Sequence, residues 1–415
     1  MKFRLLPARS ISVRPDNTRI ELAELAALLF LHGMALGAWF VPLGPVLDVH
    51  GLHSIKALAF SCSAIAALVS PLIFGAMADR HIAPARLLRW LGLAAGGMLI
   101  CIALVIYRGA GPWTVLAMIQ LYSLCIAPTS SLAASIVMGR LKDPQRQFGP
   151  IRAMGTIGWM VGCWAVSLMG ADTSLRAVYV SAAVWGGLAL FTRWLPQVEP
   201  LASSQRPSLI QRLGLDALTL LKLRDHQVVF VTSALFAVPL AAFYPFTPTH
   251  LRALGLERTA AWMSLGQVTE VVAMLLLSRL LLNWRLKWIL ATGLSLGFLR
   301  YFFYSLNHPA WVIAGVVLHG FVFAFSFILG QVYLNERIDP SWRTRAQALF
   351  SFMTTGIGSL FGYLSTGWWL QKCEMDGHVN WPRYWGGLAV VVLVVLAYFL
   401  ATYRGQKQSA TATRA

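Results

Sequence analysis

Apolar stretches of about 20 residues, each long enough to cross roughly 30 Å of hydrocarbon, follow one another along the whole chain. Short polar segments separate them. The pattern predicts twelve helical spans, near 22–46, 55–77, 87–107, 113–138, 146–170, 174–196, 228–248, 260–282, 286–306, 310–335, 346–370 and 384–403. The longest polar interruption, 195–227, contains Arg206, Arg212, Lys222 and Arg224 and divides six spans from six. An N-terminal six-helix bundle over 1–196, a linker over 197–227 and a C-terminal six-helix bundle over 228–415 are therefore expected. The fold class is an all-α integral membrane protein of twelve transmembrane helices in two six-helix pseudo-repeats. The first apolar run, starting near Leu22, exceeds a signal-peptide core and no small-residue cleavage site follows it, so it is expected to be retained.

Composition agrees with this pattern. Of the 415 residues, 57% are hydrophobic and 12% charged, and the mean hydropathy is +0.64, more apolar surface than a soluble chain of this length could hide. The net charge of +18 would suggest nucleic acid in a soluble protein. Here the cations alternate between loops. Arg80, Arg86 and Arg89 follow span 2, and Arg140, Lys142 and Arg146 follow span 4. Arg285 and Lys287 follow span 8, and Arg337, Arg343 and Arg345 follow span 10, while the intervening loops are poorer. The alternation puts both termini and the linker in the cytoplasm of a multi-pass protein, with a bacterial inner membrane as the expected site, and removes the need for a nucleic-acid partner. Cys62, Cys101, Cys125 and Cys163 lie inside apolar runs, and with Cys373 they form neither a disulfide framework nor a metal-ligand spacing. No metal or cofactor is expected. There is no His-Glu-x-x-His, no Gly-x-Ser-x-Gly and no pair of loop carboxylates, so an enzyme is not expected either.

Two glycine-rich helices occupy the fifth position of their halves. Span 5 opens on Arg146 and continues through Gly155, Gly158 and Gly162; span 11 follows Arg343 and Arg345 and continues through Gly356, Gly358 and Gly362. Small residues four apart, as in Gly33/Gly37, Gly158/Gly162 and Gly358/Gly362, let helices approach closely. The loop after span 2 reads Gly75-Ala-Met-Ala-Asp79-Arg80, with more cations beyond. It resembles the signature loop of the major facilitator superfamily, in which such an Asp-Arg element stabilises one access state.

Of sixteen acidic residues, Glu270 alone lies deep inside an apolar run, one helical turn from Gln267. An ionised, unpaired carboxylate at that depth costs at least a few kcal/mol. It must be neutral, paired, or face a wet cavity, and each alternative makes it a candidate proton carrier. Arg152, Thr156 and Trp159 share one face of span 5 at i, i+4, i+7, offering a guanidinium and an indole surface to a ring-shaped solute. Arg300 in span 9 is the expected charge partner of Glu270, and His319 in span 10, with Phe323 and Ser326 on its face, could relay a proton. His32 and Trp39 form a similar pair in span 1. Pro239, Tyr244, Pro245 and Pro248 predict a broken span 7, suited to a gate.

These segments resemble the nucleoside:H+ symporter family of the major facilitator superfamily. The likeness lies in Phe148-Gly-Pro-Ile-Arg152-Ala-Met-Gly155-Thr156-Ile-Gly158-Trp159, Leu213-Gly-Leu-Asp216-Ala-Leu, Gln267-Val-Thr-Glu270, Leu299-Arg300-Tyr-Phe and Arg343-Thr-Arg-Ala-Gln347-Ala-Leu-Phe. It implies substrate contact or proton coupling for Arg152, Thr156, Trp159, Gln267 and Glu270; Tyr244 and Phe323, aromatic residues suited to a ring-shaped solute, are expected to complete the binding set. Arg300 and His319 are expected to join Glu270 in coupling. The chain departs from the family where two amides of span 7 and an aspartate of span 10 become Ala241, Tyr244 and Ala324. A more distant likeness is to lactose and phenylpropionate permeases, although Val322 stands where a sugar carrier would have a second carboxylate. The expectation is a monomeric symporter driven by a proton gradient and carrying a small polar aromatic solute, first a nucleoside. An aromatic acid, a sugar, or a sensor that binds without transport are the alternatives.

Overall fold

A computed structural model describes residues 19–78, 82–195 and 208–405. Asp79 and Arg80 lie outside these residues. Gly75 falls within the second helix, where side-chain surroundings are not described.

The twelve spans are Arg19–Val49, Lys56–Ala78, Pro84–Tyr107, Pro112–Met138, Pro144–Leu168, Arg176–Phe191, Arg224–Ala253, Thr259–Asn283, Leu286–Ser305, Pro309–Arg337, Arg343–Lys372 and Trp381–Thr402. Ten helices among the described residues are long and apolar enough to cross a bilayer by themselves. Span 6, at 16 residues, and span 9, which contains Lys287 and Arg300, complete the bundle. The face carrying Arg19, the linker and Thr402 is termed the terminal face, and the other the far face. Exposed aromatic residues stand near both ends of the spans. Trp90, Trp194, Trp284 and Trp288 stand at the terminal face, and Tyr107, Trp113, Trp311 and Trp368 at the far face, as amphipathic rings do at a membrane boundary.

Spans 1, 4, 7 and 10, the first of every three, depart from regular helix. Span 1 breaks between Phe40 and Leu43, span 4 between Ile126 and Thr129, and span 7 between Leu240 and Phe243. Pro42, Pro128 and Pro239 sit at or beside these breaks, where a ring without an N–H cannot continue the ladder. Span 10 instead widens into a π-helical turn at Ala324–Ile328, and span 11 does so at Phe352–Gly358.

The glycines at four-residue spacing lie in seams inside each half. A Cβ on Gly33 would fall onto the carbonyl of Gly155, one on Gly158 onto that of Phe30, and one on Gly162 onto that of Met34, so spans 1 and 5 meet backbone to backbone. In the other half a Cβ on Gly358 would lie 2.9 Å from Ala234 O, and one on Gly362 2.6 Å from Val238 O, joining spans 7 and 11. The first and fifth spans of each half thus form the same contact, and this carries the internal repeat. One apolar core is built chiefly of residues between Leu25 and Leu195, the other chiefly of residues between Val228 and Tyr403.

The halves are hydrogen-bonded at the far face. Asp48 at the end of span 1 pairs with Lys56 of span 2 at 2.5 Å, and Thr249 of span 7 joins both, accepting from Lys56 Nζ at 3.0 Å and donating to Asp48 at 2.9 Å. The Trp164 indole donates to Ser264 Oγ at 2.8 Å. Asp172, buried after span 5, accepts the backbone N–H of Ala260 at 2.7 Å, and Ser167 Oγ accepts that of Ala261 at 2.9 Å. Two N–H groups at the start of span 8, which have no partner within their own helix, are therefore capped from the opposite half.

Candidate substrate cavity

Between the far-face seal and the terminal face lies a cavity of about 540 Å³, within the range of roughly 300–1,000 Å³ usual for small-molecule sites. The sequence fixes the depth of its groups. Span 5 starts at the terminal face, so Arg152 lies about 12 Å along it and Trp159 about 10 Å further, at 1.5 Å per residue. Span 8 runs the other way and places Gln267 and Glu270 near its middle. Spans 8 and 10 touch closely because Gly266 and Gly320 leave room. A Cβ on Gly266 would lie 3.1 Å from His319 Cβ, and one on Gly320 would fall onto the Glu270 backbone N. Thr269 reinforces the contact by donating to Val317 O at 2.6 Å. Glu270 and His319 therefore share one wall.

All seven residues expected to contact substrate line this cavity: Arg152, Thr156, Trp159, Tyr244, Gln267, Glu270 and Phe323. Toward the far face it ends in an aromatic cluster. Trp159 and Tyr244 have ring centroids 5.9 Å apart; Phe40 lies 5.9 Å from Trp159 and 5.1 Å from Tyr244. Gln267 Nε2 donates to the Tyr244 hydroxyl at 3.1 Å. The Trp159 indole N–H is enclosed with no acceptor among the described residues. Glu270 is the one acidic residue of the lining among the described residues. Arg152, from the opposite half, is the arginine of the same lining. A hydrogen-bonding rim, an aromatic cap, one half-buried acid and one cation in the same lining suit a planar, polar, ring-bearing solute.

Arg300 stands elsewhere than expected. Span 9 packs behind spans 7 and 10, so the guanidinium is fully buried and does not line the cavity. Its bonds run to His319 Nδ1 at 2.9 Å and to Tyr301 Oη at 2.6 Å rather than to Glu270. His319 does line the cavity, stacked on Phe243 with centroids 3.8 Å apart. His32 also lines it, but its Nε2 meets Thr129 Oγ1 at 2.9 Å; Thr129 Oγ1 donates to Ile126 O, so the imidazole is the donor and ties span 1 to the break in span 4. Trp39 is buried in the N-terminal core. Span 7 does break beside Pro239, and the turn places Tyr244 in the cavity and Thr249 in the seal. Sequence reasoning passes over Asp172, Ser167 and Thr249. Asp172 looks like any loop acid in the sequence, and only the tertiary fold brings it to the start of span 8.

Twelve spans in two equivalent halves around a central cavity, its apolar and aromatic lining set with a few polar groups, define a secondary transporter of the major facilitator type, not an enzyme. The chain belongs to the nucleoside H+ symporter family, whose profile matches residues 20–408. It is 31% identical over 412 residues to the putative nucleoside transporter YegT of Escherichia coli K12, covering 94% of this chain and 96% of that one. It is 26% identical over 400 residues to the xanthosine permease of the same organism, covering 90% and 94%. The crystal structure of the nucleoside transporter NupG superposes with a TM-score of 0.82 at 26% identity, covering 92% of this chain and 99% of that one. A peptide transporter of the POT family, at 13% identity and a TM-score of 0.68, shares the fold alone.

Proposed function

We propose that this protein carries nucleosides into the cell together with protons, using Glu270 as the proton carrier. The observation that supports this most directly is the isolation of Glu270 as the one acid among the described residues of the cavity lining, opposite Arg152. Arg152 and Thr156 are assigned to polar edges of the solute, Trp159, Tyr244 and Phe323 to its rings, and Gln267 to positioning. Protonation of Glu270 removes its hold on Arg152 and frees the guanidinium for substrate; substrate on Arg152 in turn favours the protonated acid. Proton and nucleoside then strengthen each other's binding by the same factor.

The terminal face, which bears the cation-rich loops, is assigned to the cytoplasm of an inner membrane. The far-face seal then makes this an inward-facing state, and a single chain contains the whole path. The Asp79-Arg80 element is assigned to stabilising an access state from the cytoplasmic side.

The test is uptake of labelled uridine and adenosine into vesicles under an imposed inward proton gradient, beside Glu270→Gln. Gradient-driven uptake by the native protein, and its loss in the variant, are expected. Binding without flux would make the protein a sensor. Unchanged uptake in the variant would remove Glu270 from coupling.

A further inference from the structure

Arg300 is a fully buried cation whose partners among the described residues are all neutral. Nη1 meets the His319 imidazole and Nη2 the Tyr301 hydroxyl; the guanidinium carbon lies 4.9 Å from the Phe243 ring centre and 4.5 Å from that of Tyr301, and Nε has no partner among those residues. A buried charge without a counter-ion is costly and is a poor device for stability alone. Its polar contacts lead to the cavity wall on one side and to the broken helix on the other, because Tyr301 donates onward to Pro239 O at 2.6 Å, at the break in span 7.

The chemistry of the first contact is decided by the donor. A guanidinium has only N–H groups and no acceptor, so His319 Nδ1 must accept. In the neutral imidazole the proton then sits on Nε2. That nitrogen has no protein partner among the described residues, yet it is not among the enclosed unpaired atoms, and the residue lines the cavity. Stacking on Phe243 fixes the ring plane. His319 is thus an oriented donor aimed at whatever fills the site. Ala324 and Val322 leave the neighbouring positions of span 10 without a side-chain acceptor.

We infer that His319 Nε2–H is a specificity contact for a carbonyl oxygen on the base, and that Arg300 is a positioning residue that holds His319 in the donating tautomer. The protein would then prefer nucleosides whose base has an exocyclic oxygen at that edge. This inference rests on the nucleoside reading above.

The test compares inosine with purine riboside, which lacks the 6-oxygen, as labelled substrates in the same vesicles. The native protein is expected to show a KM about tenfold lower for inosine, the effect of leaving a buried donor unpaired. His319→Phe should bring the two KM values together, whereas His319→Gln, which keeps an N–H, should preserve the preference. Arg300→Gln should erode it and Arg300→Lys restore it in part. A purely structural role for Arg300 would lower transport of both substrates equally and leave the KM ratio unchanged, and that outcome overturns the assignment. Equal KM values in the native protein, with both substrates transported, would also overturn it while leaving nucleoside symport standing. Transport of neither, by folded protein, would sink the nucleoside reading and this inference with it.

Discussion

Glu270 and Arg152 reach the cavity from opposite halves, and their different chemistries allow their roles to be separated. Arg152 offers charge-assisted hydrogen bonds, each worth about 1.5–3 kcal/mol. Arg152→Gln is therefore expected to raise KM by about 10- to 100-fold, read from initial rates at saturating proton gradient. Glu270→Gln keeps shape and hydrogen bonding but cannot release a proton. It should still exchange nucleoside across a vesicle at equilibrium while losing accumulation against a gradient; counterflow beside net uptake distinguishes the two. Both residues were legible in the sequence because a charge inside an apolar run is costly and is kept there only where a partner or a wet cavity receives it. The partner of Arg300 was not. Sequence gives its depth, but the choice between Glu270 and His319 depends on span 9 packing behind the cavity rather than beside it.

Among the elements, the glycine seams and the cap on span 8 do opposite work. The seam of spans 1 and 5 has no slack. Gly33→Val would drive methyl groups into the Gly155 backbone and should cost at least about 1–3 kcal/mol, seen as a lowered unfolding midpoint in detergent. The spacing of these glycines announced close contact, and the structure assigns that contact to the interior of each half. The cap, in contrast, joins the halves and must break whenever the far face opens. Asp172→Ala removes an acceptor worth about 0.5–2 kcal/mol. It is expected to shift the balance toward the far-face-open form by roughly 2- to 30-fold, measured as labelling of a far-face cysteine by a membrane-impermeant reagent. Nothing in the local sequence marks Asp172, since its partner Ala260 lies 88 positions away. The π-helical turn of span 10 is equally silent, for no proline or glycine lies within Ala324–Ile328.

For the whole molecule, the division into halves follows from hydropathy and from one long polar interruption, while the state in which the halves are held does not. Polar contacts of the far face, at Asp48, Lys56 and Thr249 and at the cap on span 8, join the halves in the state described here. Locking them should stop the cycle without emptying the site. With cysteines introduced by Ser167→Cys and Ala261→Cys and joined by a short cross-linker, uptake is expected to cease while nucleoside binding from the terminal face persists, and cleaving the cross-link should restore flux.

A lining with one acid also has an electrical consequence. If Glu270 alone takes up the coupling proton, the loaded and empty cavities differ by a single elementary charge, and a neutral nucleoside enters with one positive charge per cycle. A charge crossing the full membrane field gains about 2.3 kcal/mol per 100 mV. At about 1.36 kcal/mol per decade, a potential of 100 mV then supports roughly fiftyfold accumulation of substrate even when the pH is equal on both sides.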